Sequence, residues 1–343
     1  MSHGTAAETE GAARMLELIQ LRLISEAIYV VAALGIADSL ASGPKSVEEL
    51  SHACPCDAAS LRRVMRALTS FGLFAEDSAA HFSLTSMGGL LKSAREGSLL
   101  PAALFFGGER AAREVGLFLK CVREGKSMPD MLFGGGWTEW MQSEPEQNKL
   151  FNDVMTAFSS INLAALFEAY DFAGLKKIVD VGGGYGRLLI EILNMNPGMR
   201  GVLFDMAHAF EGGRKALEIA GLAGRCEVIS GDFFSSVPSG ADAYLLSRVI
   251  HDWDEEKAVQ ILTVIRHAID PQGRVIILEN MLRSAEKAIY PVLSDLNMLI
   301  RTGGCERTEA EYRSLYRAAG FEHTKTISTR SPMGATVIEG RPI

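Results

Sequence analysis

The stretch that most constrains this chain runs Ile178-Val179-Asp180-Val181, then Gly182-Gly183-Gly184-Tyr185-Gly186, then Arg187-Leu188-Leu189-Ile190. Its short apolar opening is what a strand buried on both faces uses. The glycine cluster allows a sharp turn and a close approach of a ligand to the main chain. The apolar run after it reads as a helix. Strand, glycine turn and helix together open a nucleotide-binding α/β sheet. The dinucleotide fingerprint is incomplete, because Arg187 stands where its last glycine belongs. That glycine lets a pyrophosphate sit at the helix N-terminus, so a nicotinamide or flavin is disfavoured. A glycine-rich turn with no ligand is the competing reading.

The chain has 343 residues, enough for two domains. Hydrophobic residues make up 48% and charged residues 22%, a globular composition. A formal net charge of -8 supplies no basic face for nucleic acid or for a membrane surface. The five cysteines are scattered. Only Cys54 and Cys56 are close, as C-P-C, without the second pair of a zinc site. Reduced thiols in a cytoplasmic protein are expected. Glu8 and Glu10 precede the first apolar run, unlike a signal peptide. Glu17, Arg22 and Glu26 interrupt Leu16 to Leu34, which is too polar to span a bilayer.

From Met15 to Leu34 apolar residues fall at helical spacing on more than one face, which predicts packing both within the domain and against a second subunit. Ser46 with Glu49 starts a capped helix, Leu61 to Leu68 forms another, and Leu73 to Thr85 reads as a hairpin. Helices followed by a hairpin make a winged-helix pattern over residues 1–100, and Arg62-Arg63 raises DNA binding as an alternative to dimerisation. The acidic balance argues against DNA. Phe105 to Met141 is less regular, with Gly107-Gly108 and Gly134-Gly135-Gly136 marking loops and Phe133, Trp137 and Trp140 as candidate pocket aromatics. Phe151 to Ala169 is a helix on which Met155, Phe158 and Asn162 recur on one face.

Beyond the glycine turn, strands at 202–205, 226–230, 243–247 and 274–279 alternate with helices at 211–220 and 255–269. A hairpin at 321–328 and 335–339 closes the chain. Residues 101–343 therefore form a mostly parallel, doubly wound α/β sheet. Ligands of such sheets bind at the carboxyl ends of the strands. Asp205, Asp232 and Glu279 end strands there, and His251 follows the fourth within four residues. Asp205 lies some 20 residues past the turn, where a ribose-binding carboxylate belongs. A histidine beside a carboxylate is the usual make-up of a general base.

His251-Asp252-Trp253 resembles the HDW signature of the plant-type small-molecule O-methyltransferases, whose members use S-adenosylmethionine. The resemblance continues through Phe151-Asn152, Asp180 to Gly186, Phe204-Asp205, Gly231-Asp232-Phe233, Glu279 and Gly303-Gly304-Cys305-Glu306-Arg307-Thr308. It covers nearly the whole chain. It implies a Rossmann-like class I methyltransferase fold, with residues 1–100 as a winged-helix-like dimerisation domain and 101–170 as a helical substrate-pocket segment. Gly182 and Gly184 would hold the methionine part of the cofactor, Asp205 the ribose, and Asp232 with Phe233 the adenine. Trp253 would pack on the adenine and Ser159 would contact the carboxylate. His251 would be the base, framed by Glu279 and Glu306. Met155, Phe158, Asn162, Asp252, Asp295 and Met298 would shape the substrate pocket. Ser247 stands where many relatives carry a cofactor-binding lysine, so that contact is missing or water-mediated here.

The implied reaction is transfer of a methyl group to a phenolic hydroxyl of an aromatic small molecule, such as a secondary metabolite, in a cytoplasmic homodimer without a metal. Relatives that methylate carbon or nitrogen, or that have lost methyl transfer, are the near alternative. A DNA-binding regulator with a ligand-sensing domain is the distant one.

Overall fold

The computed structural model describes residues 6–134, 136–283 and 289–343. Gly135, the middle of the second glycine cluster, lies outside them. The chain divides into two compact units, Met1–Arg113 and Glu114–Ile343.

The first unit opens with a long helix, α1 (Ala6–Ala33), followed by α2 (Ile36–Ser39), α3 (Val47–Ala53) and α4 (Ala58–Ser70). Ser46 and Glu49 form a reciprocal capping box on α3, and Asp57 caps α4. On α4, Leu61, Met65 and Leu68 fall on one stripe. They pack with Val47, Leu50, Phe74 and Phe82, the last two from the antiparallel hairpin β1 (Phe74–Glu76) and β2 (Phe82–Leu84). Arg62 pairs with Glu48, and Arg66 makes a forked contact with Glu76. Along α1, Met15, Leu16, Leu18, Ile19, Leu21 and Leu23 are exposed in the single chain. The unit continues into α5 (Leu100–Phe106) and the start of α6 (Gly108–Gly116).

The stretch expected to be irregular is helical, with α7 (Phe118–Glu124), α8 (Met128–Phe133) and α9 (Gly136–Ser143). Gly107, Gly125 and Gly134 stand at the ends of α5, α7 and α8, the last two in left-handed conformation, so the glycines mark the breaks between short helices. The next helix, α10 (Pro145–Ala169), starts six residues before the expected Phe151, with proline in its first turn. It is long and apolar enough to cross a membrane by composition alone. Its polar Asn148, Asn152 and Asn162 are buried in the folded unit.

Seven strands form one sheet: β3 (Lys177–Val181), β4 (Arg200–Asp205), β5 (Cys226–Ser230), β6 (Ala243–Ser247), β7 (Arg274–Asn280), β8 (Phe321–Ser328) and β9 (Ala335–Pro342). Their order is β5-β4-β3-β6-β7-β9-β8. The first five are parallel, whereas β9 runs antiparallel to both β7 and β8. Between strands lie α11 (Arg187–Met195), α12 (Ala207–Ile219), α13 (Glu255–Ala268), α14 (Ile289–Arg301) and α15 (Glu309–Ala318). Strand residues alternate between two cores. Val179, Val202, Tyr244, Leu246, Val275 and Ile277 pack with α13 and α15, while Ile178, Leu203, Leu245, Ile276 and Leu278 pack with α11. Both faces are covered, which accounts for the near-continuous apolar strands. Chain order reverses between β3 and β6, so a crevice opens at their carboxyl ends.

Candidate active site

The β3–α11 turn is built from glycine because its backbone demands it. Gly182, Gly184 and Gly186 have φ of 71°, 56° and 77°, a region side chains disfavour. A methyl group on Gly183 would stand 2.5 Å from Asp180 Oδ2 and from Leu203 Cδ1. The turn is therefore compressed against the acid that precedes it.

One cleft gathers the carboxyl ends of β3, β4 and β6 with one face of α10. Gly182, Gly184, Asp205, Phe233, Ser247 and Trp253 line it, as do Ser159, Met155 and Asp252. Asp205 Oδ2 accepts the Gly184 N–H at 2.7 Å, and Oδ1 accepts the Met206 N–H at 2.6 Å. Burial holds its carboxyl above the ordinary range, with the two N–H bonds pulling the other way. Asp180 shares the cleft wall. It is 1% exposed, its Oδ1 has no partner, and burial, then the charge of Asp205, pushes it up to about 7. Two adjacent carboxylates, one of them with an unpartnered oxygen, fit a ligand that carries an ammonium group, a sulfonium and a ribose diol. Phe233 and Trp253 meet edge-on with centroids 6.0 Å apart, and Lys257 Nζ lies 5.3 Å from the Trp253 ring centre.

Several expected residues lie off these walls. Asp232 is exposed, accepts from Phe234 N–H and Ser235 Oγ, and opens on an adjoining recess shared with Phe233 and Trp253. Asn162 is buried, its carboxamide oxygen accepting from Ser331 Oγ. Phe158 is buried under the Arg248 guanidinium and edge-on to Tyr290. Met298 is buried near the end of α14, where its carbonyl accepts from Thr302 and Gly303. Asp295 Oδ1 accepts the Glu306 N–H at 2.9 Å, so it positions that loop from behind. Trp137 reaches the cleft, Trp140 joins a small core with Cys121 and Met128, and Phe133 is 54% exposed.

His251 sits behind the cleft, only 2% exposed, with Glu279 and Glu306 beside it. Its Nδ1 is 2.8 Å from Glu306 Oε1 and 3.2 Å from Glu279 Oε2. Ser294 Oγ donates to Glu306 Oε1 at 2.6 Å, and Glu279 Oε1 accepts the backbone N–H groups of Val249, Ile250 and His251. Arg307 donates to the Ile250 and Trp253 carbonyls at 3.0 and 2.7 Å, tying the turn to the 303–308 segment. Gly304 packs against the same turn. A methyl group there would lie 2.1 Å from the His251 carbonyl oxygen. With Nδ1 engaged, Nε2 is the nitrogen left. Asp252 Oδ1, on the cleft wall, is 3.7 Å from it.

Electrostatics bind a proton into this cluster. Burial alone would depress the imidazole, but Glu279, Glu306 and Asp252 outweigh it and lift His251 to about 9. Burial raises Glu279 to about 7 against the pull of His251. Burial also opposes ionisation of Glu306, yet the His251 charge and hydrogen bond bring it below its usual value. The ligand atoms of these three side chains lie within 4.8 Å of one another, a spacing that could also hold a cation. The 2.8 Å separation of Nδ1 from Glu306 Oε1 is that of an N–H···O hydrogen bond, and Glu279 Oε2 at 3.2 Å adds its charge. Asp180, Ser294, Asn280 and Arg248 were not singled out in the sequence as site residues. Asp180 and the β6 terminus carried the only signal, lying next to the turn and to the histidine.

Comparison with known proteins gives this geometry its context. The O-methyltransferase domain family matches residues 118–322, and the O-methyltransferase dimerisation domain family matches 16–93. The phenazine O-methyltransferase of Lysobacter antibioticus is 36% identical over 96% of both chains. The crystal structure of LaPhzM superposes with a TM-score of 0.91 at 35% identity, covering 97% of this chain and 99% of that one. The O-methyltransferase of neocarzinostatin biosynthesis, solved with S-adenosylmethionine and 2-hydroxy-5-methyl naphthoic acid, gives 0.77 at 28% identity, covering 93% and 96%. A class I sheet whose strand ends carry the glycine turn, Asp205 and the His251 cluster, matched over almost its full length, belongs to the family of S-adenosylmethionine-dependent O-methyltransferases.

Proposed function

We propose that this enzyme methylates a phenolic hydroxyl of an aromatic secondary metabolite, with His251 as the general base. One observation carries the reading: two carboxylates hold Nδ1 while Nε2 is left on the side of Asp252, which lines the cleft. When bound, the cofactor supplies an electrophilic methyl group on a sulfonium.

The residues assigned to hold it follow the cleft walls. The Gly182–Gly184 backbone takes the methionine part, with Ser159 near its carboxylate and Asp180 and Asp205 supplying negative charge. Asp205 receives the ribose hydroxyls, and Phe233 and Trp253 flank the adenine. Asp232, whose carboxylate is spent on its own turn, is left out of that assignment. Ser247 offers only a short hydroxyl where a lysine would reach the cofactor.

The chain's contribution to chemistry is positioning and one proton transfer. Met155 and Asp252 would orient the acceptor oxygen toward the methyl group that the bound cofactor supplies, and the acceptor proton would pass to His251 Nε2. Glu279 and Glu306 fix the ring and stabilise the imidazolium that results. His251 must be neutral beforehand, so the cluster sheds a proton before each turnover. A phenol suits this base because it is far more acidic than an alcohol.

The exposed apolar row of α1, within the segment matched by the dimerisation family, supports a homodimer. Five free cysteines support a reducing, cytoplasmic setting. Incubation with methyl-labelled cofactor and a panel of phenols, carboxylic acids and aromatic amines tests the reading. Label on a phenolic oxygen, located by mass and NMR, is expected. Label confined to carbon or nitrogen products overturns it.

A further inference from the structure

The Glu306 oxygen that meets the His251 ring is held from its far side by a hydroxyl. We propose that Ser294 of α14 is a positioning residue that sets the tautomer of His251 and so keeps Nε2 free to act as the base. The inference rests on the reading of His251 as that base.

Pro291, Ser294, Met298 and Arg301 recur at helical spacing and form a buried stripe of α14. Both ends of the stripe are fixed. Arg301 donates to Glu114 in a buried ion pair. A methyl group on Gly334 would lie 2.8 Å from Pro291 Cγ, so the helix start packs directly on the turn between β8 and β9. From this stripe Ser294, itself buried, donates its one hydroxyl hydrogen to Glu306 Oε1 at 2.6 Å. That length is usual for a hydroxyl on a carboxylate. The next residue, Asp295, accepts the Glu306 backbone N–H at 2.9 Å. Two consecutive residues of one helix therefore hold the backbone and the head of the same glutamate.

Asn280 lies close by. With its amide oriented to satisfy its neighbours, it donates to Met333 O and accepts from Arg248 Nη1. Glu306 Oε1 thus takes its hydrogen bonds from Ser294 and from His251 Nδ1, while Oε2 has no partner among the described residues. The terminal torsion of a glutamate is soft. The Ser294 hydroxyl supplies what that torsion lacks, a restraint that keeps Oε1 at 2.8 Å from Nδ1.

That oxygen decides where the ring hydrogen sits. Burial opposes ionisation of Glu306, yet the His251 charge and the hydrogen bonds of His251 and Ser294 keep it below its usual value. An ionised carboxylate only accepts, so Nδ1 carries the hydrogen and Nε2 keeps its lone pair. Glu279 does not duplicate this contact. Its Oε2 is 3.2 Å from Nδ1 with no hydrogen-bond partner among the described residues, and its Oε1 is taken by three backbone N–H groups. Asp252 pulls the other way, since a carboxylate 3.7 Å from Nε2 favours a hydrogen on that nitrogen. Ser294 tips the contest toward Nδ1 by fixing the acceptor there.

The test uses the full-length protein with nitrogen-labelled histidine, in native form and as Ser294→Ala and Ser294→Thr. NMR of the ring nitrogens reports which one carries the hydrogen, read at a pH where the ring is neutral. The native ring should carry it on Nδ1. In Ser294→Ala a large share should move to Nε2. The kcat of that variant should fall about tenfold, the effect of one hydrogen bond to a charged group, with acceptor KM and cofactor affinity unchanged. Ser294→Thr keeps a hydroxyl and should restore both tautomer and kcat. A native tautomer in Ser294→Ala overturns the proposal, and any accompanying fall in kcat or rise in acceptor KM then belongs to packing or acceptor binding. Ser294→Thr behaving as Ser294→Ala overturns it equally, because side-chain size and not the hydroxyl would then matter. Native turnover in His251→Ala would sink the base assignment, and the tautomer comparison would still decide the role of Ser294.

Discussion

Glu279 grips His251 at two places: Oε1 accepts the backbone N–H at 3.3 Å and Oε2 lies 3.2 Å from ring Nδ1. Glu279→Gln keeps an oxygen for the backbone and removes the charge. Because that charge is the first of those lifting His251 to about 9, its loss lowers the ring's proton affinity. The ascending limb of kcat/KM should move toward lower pH. Turnover should fall less than in a variant without the imidazole.

His251→Ala should bind cofactor nearly as well as the native enzyme in calorimetry, since the ring lies behind the cleft wall. Turnover should drop by about 10²–10⁴, the usual contribution of a positioned base. Raising the pH toward roughly 10, where phenols ionise unaided, should recover part of it. Native turnover across neutral pH in this variant would mean that positioning alone carries the reaction.

The cofactor rests on Asp205. Asp205→Ala should weaken S-adenosylmethionine binding about ten- to a hundredfold, as expected for losing hydrogen bonds worth roughly 1.5–3 kcal/mol to a charged acceptor. Isothermal calorimetry measures it, and unchanged affinity would remove Asp205 from the site.

Asp180 carries a stability cost that depends on pH. Its folded pKa, about 7, lies above the unfolded value near 3.8, so the folded state binds the proton more tightly. The penalty is absent below the unfolded value, grows as pH rises between the two, and is complete above the folded one. Asp180→Asn should therefore raise Tm at pH 8 and leave it nearly unchanged near pH 3.5, while weakening cofactor binding. A variant less stable at pH 8 would contradict this account.

Chelation discriminates a proton-holding cluster from a cation-holding one. Exhaustive treatment with a strong chelator should leave kcat intact, because the proposed base works through a proton on the imidazole, held at Nδ1 by Glu306. Loss of turnover restored by one divalent metal would reassign His251, Glu279 and Glu306.

The sheet was legible in the sequence because its strands are buried on both faces and end in acids or glycine. Ile178 to Gly186, Asp205, Glu279 and the His251 turn are all local signals, and the strand spacing brought them to one end. Asn162 and Met298 lie off the walls of the cleft for a physical reason. Helical periodicity shows which face of α10 or α14 is buried, but a buried face can meet Ser331 or its own helix end as easily as a ligand. Asp180 stayed hidden because an aspartate inside a strand reads as part of the motif, and only its missing partner marks it. Arg248 gave no signal, since its left-handed backbone and its place over the Phe158 ring are set by the folded chain.

Gly304 gives the site an unusual vulnerability. With the His251 carbonyl 2.1 Å from where a methyl would sit, and the Asp252 carbonyl carbon 2.4 Å away, the spacing between the histidine turn and the glutamate loop is set by a single missing carbon. A laboratory effort to broaden acceptor range can vary acceptor-side residues such as Met155, but this contact point has no room for a side chain. Adding even the smallest one would push the glutamate loop away from the histidine turn, and the resulting protein could be well folded, fully loaded with cofactor and yet unable to take the acceptor's proton through the right group.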